Sequence, residues 1–165
     1  MVKEWVFVPM RGLGPISLGM KKAEVNEVLG PRFFCKSNVA WLVGIKTDLY
    51  SNRRIEITYW EDETVAQVGI MRPFIATVFD INVFSQNPTE LETIFSGKGI
   101  PLKREGNKLR FIQHNAFLLL SSTKKEYISS FVVSDVGFEE MEDKRSREYL
   151  FDRPSVTIND LLKKY

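Results

Sequence analysis

With 165 residues, 44% of them apolar, the chain can build one sizeable core or two small units that share one, and this is not the composition of a disordered chain. A net charge of +2 and a sequence pI near 8.6 leave no strong electrostatic footprint for nucleic acid. The single cysteine, Cys35, excludes an intramolecular disulfide and so a disulfide-stapled secreted fold, and the expected location is cytoplasmic.

Met1 to Met10 lacks the basic start and long apolar stretch of a signal peptide, so none is expected. Trp5 to Val8 reads as a first strand, stopped by Pro9. Gly12 to Pro15 is turn chemistry. Ile16 and Leu18 alternate with Ser17, and Gly19 permits a sharp corner. A helix follows from Lys22 to Leu29, where Val25, Val28 and Leu29 share one face. Lys21 is a poor N-cap, while Gly30 and Pro31 stop the helix. Residues 33–46 carry a weak pattern, read as irregular or as one strand near 39–43.

Arg54 to Trp60 and Thr64 to Met71 alternate cleanly and form a hairpin across Glu61-Asp62-Glu63. Ala76 to Phe84 reads as extended. Asn87, Pro88 and Glu90 give a capping box for a second helix through Leu91, Ile94 and Phe95, stopped by Gly97 and Gly99. Strands follow at Lys108 to Gln113, Ala116 to Leu120 and Tyr127 to Ser134. Glu139 to Leu150 is charge-dense and helical, and Thr157 to Tyr165 opens a last short helix.

The halves can be overlaid. Val25, Val28 and Leu29 fall on Leu91, Ile94 and Phe95, and Ile16 on Ile81. Glu63 to Ile70 falls on Glu126 to Val133, and Ile55 to Tyr59 on Ala116 to Leu120. The expected fold is therefore α+β: a tandem duplication of a short helix followed by an antiparallel sheet, with a C-terminal helical tail. The expected boundaries are residues 1–75, 76–138 and 139–165.

The string Gly14 to Gly30, GPISLGMKKAEVNEVLG, resembles the entry motif of a broad set of small bacterial α+β domains. Their pattern is Gly-x-Ile-x-Leu-Gly-Met-Ser-x-x-Glu-Val, then Leu-Gly and often Pro. It occurs in the small lipoprotein of the outer-membrane β-barrel assembly machinery. Similar tandem repeats build the β-lactamase-inhibitor-protein fold, and some small cytoplasmic proteins suspected of immunity roles start alike. Lys21 departs from the pattern, where serine is usual. The resemblance implies a non-enzymatic protein-binding scaffold, with an immunity-type inhibitor as its sharpest form.

No catalytic, metal or cofactor constellation is legible. His114 is the only histidine and reads as a turn residue, and Cys35 has no base beside it in sequence. The acidic runs at Glu61 to Glu63 and from Glu139 lack calcium-loop spacing. The surface of interest is the outer sheet face. If Ile55, Ile57, Tyr59, Ala66, Val68 and Ile70 pack under the helices, then Glu56, Thr58, Trp60, Val65 and Gln67 face away. In the second half the outward set is Phe117, Leu119, Ile128 and Val132. The candidate partner-binding residues are Trp41, Trp60, Glu56, Thr58, Gln67, Phe117 and Leu119, and the expected partner is another protein. Two alternatives stand beside it. One is a small-molecule binder or enzyme with a pocket between the halves. The other is a weak nucleic-acid binder using the basic turns at Arg53-Arg54, Lys103-Arg104, Lys108/Arg110 and Lys124-Lys125.

Overall fold

A computed structural model describes residues 4–31, 34–36, 45–52, 54–121 and 126–151. They form a mixed α+β fold with more sheet than helix. The first half contributes β1 (Glu4–Val8), β2 (Gly12–Leu13), β3 (Ile16–Ser17), α1 (Lys22–Leu29), β4 (Phe34–Lys36), β5 (Lys46–Tyr50), β6 (Ile55–Tyr59) and β7 (Val65–Met71). The second contributes β8 (Ile75–Val78), β9 (Ile81–Asn82), a 3-10 turn (Val83–Ser85), α2 (Pro88–Gly97), β10 (Leu102–Glu105), β11 (Lys108–Phe111), β12 (Ala116–Leu120), β13 (Ile128–Ser134) and α3 (Phe138–Phe151).

The larger sheet has eight strands in the order β10-β11-β12-β13-β7-β6-β5-β4. Each half supplies a four-stranded meander, and the two meet where β13 pairs antiparallel with β7, Val132 facing Gly69. The smaller sheet runs β3-β2-β1-β8-β9, with β1 and β8 parallel at its centre. Trp5 and Phe7 of β1 point inward, and the Phe7 ring meets Phe131 of the larger sheet at 5.5 Å. Val25 of α1 and Leu91 and Phe95 of α2 complete this core.

Both capping expectations are met in their local detail. Asn87 Oδ1 accepts the Glu90 N–H at 2.9 Å and a Glu90 carboxylate oxygen accepts the Asn87 N–H at 3.1 Å. Lys21 supplies no side-chain cap, since an ammonium accepts no hydrogen bond. Instead the Glu24 carboxylate accepts the Lys21 N–H at 2.7 Å.

The structure corrects the sequence reading where local pattern and tertiary geometry part. Val28 is exposed, because α1 is only eight residues long and buries a single side chain fully, Val25. The expected extended run at 76–84 is instead a tight hairpin, β8–β9, turned by positive φ at Phe79 and Asp80 and followed from Val83 by the 3-10 turn. Neither residue belongs to the Asn-Gly or Asp-Gly pairs that signal such a turn. The outward set breaks at two β-bulges. Register shifts between Thr58 and Tyr59, so Ala66 is the extra residue and Val65 turns into the core. It shifts again between Leu119 and Leu120, so Ser129 is extra and Ile128 turns inward. One inserted residue reverses the faces of everything beyond it. The expected strand near 39–43 and helix from Thr157 lie outside the described residues.

Candidate functional site

The Gly14 to Gly30 motif does structural work beside the β6–β7 connection. Gly19, at φ 80, turns the chain so that its N–H donates to Val65 O at 2.8 Å. Val65 N–H returns to Met20 O at 2.9 Å, and Lys22 N–H donates to Glu63 O at 3.0 Å. This ladder fixes residues 60–65 against the start of α1. Within the turn, the Asp62 carboxylate accepts the Thr64 hydroxyl at 2.6 Å and the Thr64 N–H at 3.1 Å. Those two bonds, with Lys21 beside them, hold Asp62 below its ordinary pKa.

Trp60 stands where this turn meets α3. Its Nε1–H donates to the Asp135 carboxylate at 3.1 Å, and its ring meets Phe138 edge-on at 5.2 Å. Ile45, Ala66 and Phe138 are buried here, with Trp60 and Met141 packed against them, as a small apolar cluster apart from the main core. A groove of about 330 Å³ opens beside it, bordered by Ile45, Trp60, Glu61, Asp62, Met141 and Arg145. Arg145 reaches across to Glu61 at 2.6 Å. On the other side of α3, a second groove of about 340 Å³ is bordered by Arg110, Asn115, Asp135, Gly137, Glu139 and Asp143.

Between the grooves, α3 is tied to the sheet by charge. Arg110 gives two hydrogen bonds to Glu139, at 2.9 and 2.8 Å, and a third to Glu105 at 3.0 Å. Lys108 Nζ lies 3.1 Å from Glu139. Burial pushes the Glu139 pKa up, but Arg110 and Lys108 outweigh it and hold the carboxyl below its ordinary value. Both cations lie over the Phe117 ring, at 4.4 Å for Lys108 and 5.4 Å for Arg110.

The candidate residues do not share one open patch. Trp41 lies outside the described residues. Phe117 is 4% exposed beneath Lys108 and Arg110. Thr58 is buried and shares a hydrogen bond with Thr47 at 2.9 Å. Gln67 donates to Ser134 at 2.8 Å across the β7–β13 seam. Glu56 and Leu119 are half-buried on β6 and β12. Of the described candidates, Trp60 borders the 330 Å³ groove. His114 packs its ring against Phe79 at 5.2 Å and Phe7 at 6.1 Å. The Cys35 backbone sits on β4 opposite Asp48. Among the basic turns, Arg104 pairs with Glu126 and Glu92, and Lys103 with Glu105. Arg53, Lys124 and Lys125 lie outside the described residues. No group of three or more metal-ligating side chains is placed to hold an ion among the described residues, and no helix there is long and apolar enough to cross a membrane.

Sequence reasoning missed a buried polar cluster under α1. Lys22 Nζ lies 2.7 Å from the fully buried Asp48 carboxylate and 5.0 Å from the Tyr59 ring centre. Tyr50 donates its hydroxyl hydrogen to Asn26 at 2.9 Å and sits 3.2 Å from the Tyr59 hydroxyl. The signal available was that Lys22 and Asn26 stand four residues apart on the helix, flanking Val25. It also missed that Val6 (49% exposed), Val8 (41%) and Ile75 (41%) leave an apolar strip on the outer face of the smaller sheet. No family model matches the chain, and neither does any curated protein or solved structure.

Proposed function

We propose that the chain is a non-enzymatic protein-binding scaffold, built from two copies of one helix-plus-meander unit, whose partner docks at the cleft around Trp60. The observation that carries the docking site is the half-buried Trp60 beside an open groove, in an apolar cluster separate from the main core. Tryptophan beside an apolar pocket with paired charges at its rim is the composition of an interface hot spot. The neutralised basic turns favour this reading over nucleic-acid binding, since Lys103, Arg104, Lys108 and Arg110 all face carboxylates.

The duplication is supported by matched irregularities, which are rarer than matched strands. Thr58↔Gln67 and Tyr59↔Val65 flank one bulge, and Leu119↔Ser130 and Leu120↔Ile128 flank the other. The overlay made from sequence sets these residues on one another one for one. Beyond them, Thr47 opposite Thr58 corresponds to Lys108 opposite Leu119, so β5 and β11 are counterparts.

Affinity purification of the full chain from its native host tests the docking site. The expected result is a partner retained by the native chain and lost on Trp60→Ala, with the variant still folded by circular dichroism at the purification temperature. Retention by Trp60→Ala refutes the site. If the partner is a toxin or enzyme, as the motif's resemblance implies, its inhibition is lost in the same variant.

A further inference from the structure

We infer that α3 occupies in cis a helix-binding cleft, and that the partner presents an amphipathic helix of the same pattern that displaces it. The inference rests on the protein-binding reading above. Phe138, Met141 and Arg145 stand at i, i+3 and i+7 on one face of the helix, and Glu139, at i+1, flanks that face about 100° round toward the sheet. Each meets a receptor group of matching chemistry. Phe138 and Met141 enter the apolar floor of Ile45, Ala66 and Trp60. Glu139 takes the guanidinium of Arg110 and the ammonium of Lys108. Arg145 takes Glu61.

That surface is specified for an aromatic, an acid, an apolar residue and a base in this spacing, and it uses the helix-in-groove mode of recognition. Three features make the cis occupant exchangeable. Grooves of about 330 and 340 Å³ flank α3, so part of each side is open to solvent. One contact further along, Arg145 to Glu61, has a carboxylate 71% exposed, where salt screens the attraction. Its near end is hinged at Gly137, whose φ of 76 suits glycine and beside which no atom crowds. A partner helix therefore gains the same contacts without first opening the main core.

The test uses the full chain, a fluorescein-labelled peptide of residues 137–151, and hydrogen exchange read by mass spectrometry. Raising NaCl from about 0.05 to 0.5 M is expected to speed exchange in α3 by about tenfold or more while α2 is unchanged. The peptide is expected to displace half of the cis helix near about 1 mM, the effective concentration against which it competes, and to speed α3 exchange as it binds. Phe138→Ala or Glu139→Gln within the peptide weakens binding about tenfold each. These changes sit in the peptide, so the protein's own folding is not at stake. Exchange of α3 only at the rate of β13 at both salt concentrations overturns the inference. So does a peptide that displaces no α3 at about 5 mM, or one indifferent to both substitutions. A native partner that requires Trp60 yet leaves α3 exchange unaltered keeps the docking site and overturns the displacement.

Discussion

Replacing Lys22 by methionine removes the cation 2.7 Å from a carboxylate with no solvent exposure, Asp48, while keeping most of the apolar stem over Tyr59. Breaking a buried ion pair from one side costs about 3–5 kcal/mol, because the remaining charge stays desolvated. The Lys22 side chain is 19% exposed, so water already shares part of its charge, and Asp48 is not held by Lys22 alone. We therefore expect the lower end, about 3 kcal/mol, which for a chain of this length lowers the melting temperature by roughly 6–12 °C. The second half supplies the control. Leu109 occupies the place on β11 that Asp48 occupies on β5, opposite Leu118 where Asp48 is opposite Ile57. Adding Asp48→Leu to Lys22→Met copies that apolar arrangement and is expected to recover the loss to within about 1 kcal/mol, or to exceed the native stability. Urea denaturation followed by tryptophan emission, on the native chain, both single variants and the double, yields the coupling energy. A Lys22→Met cost under about 1 kcal/mol, or a double variant as unstable as the single, refutes the claim that the pair is a buried, mutually dependent unit.

The corrected facing of β13 predicts that Ile128→Ala, at a fully buried site, costs about 2–5 kcal/mol, whereas Val28→Ala on α1 stays within about 0.5. Similar costs for the two in chemical denaturation would contradict the bulge-reversed pattern. Trp5 buries its indole N–H without a hydrogen-bond partner, so Trp5→Phe exchanges lost contact area for relief of an orphaned donor. The net change is expected within about 1 kcal/mol, and a loss above about 3 in the same assay would show that the N–H is satisfied. The Glu139 carboxyl has its pKa lowered in the folded chain from an ordinary 4.5. Its contribution is therefore complete above that value and is lost as pH falls through the lowered one. Exchange in α3 should stay constant from neutral pH down to about 4.5 and rise below it, after correction for the intrinsic pH dependence of exchange. A rise already under way near neutrality would point to another group.

Local chemistry is what the sequence carries well. Asn87, Pro88 and Glu90 determine where α2 starts, because each acts on backbone groups within three residues. Alternation along Ile55–Tyr59 and Val65–Met71 identified the hairpin, and the corner at Gly19 followed from its neighbours. The candidate site was legible only at Trp60. Ile45, Ala66 and the α3 pair Phe138 and Met141 come from three separate parts of the chain, and no window of sequence brings them together. Phe117 looked like an interface anchor because strand alternation puts it outward. Lys108 and Arg110 fold over its ring only because β11 pairs beside β12.

The sequence by itself determined that two helices start and stop where they do and that strands dominate. The tertiary structure decided which faces those strands bury. A β-bulge leaves no mark in composition, since any residue fits the extra position, yet it inverts the side-chain pattern beyond it. Long-range pairing of β7 with β13 and β1 with β8 likewise depends on backbone groups that every residue carries alike, so strand order across the sheets emerged only from the folded chain.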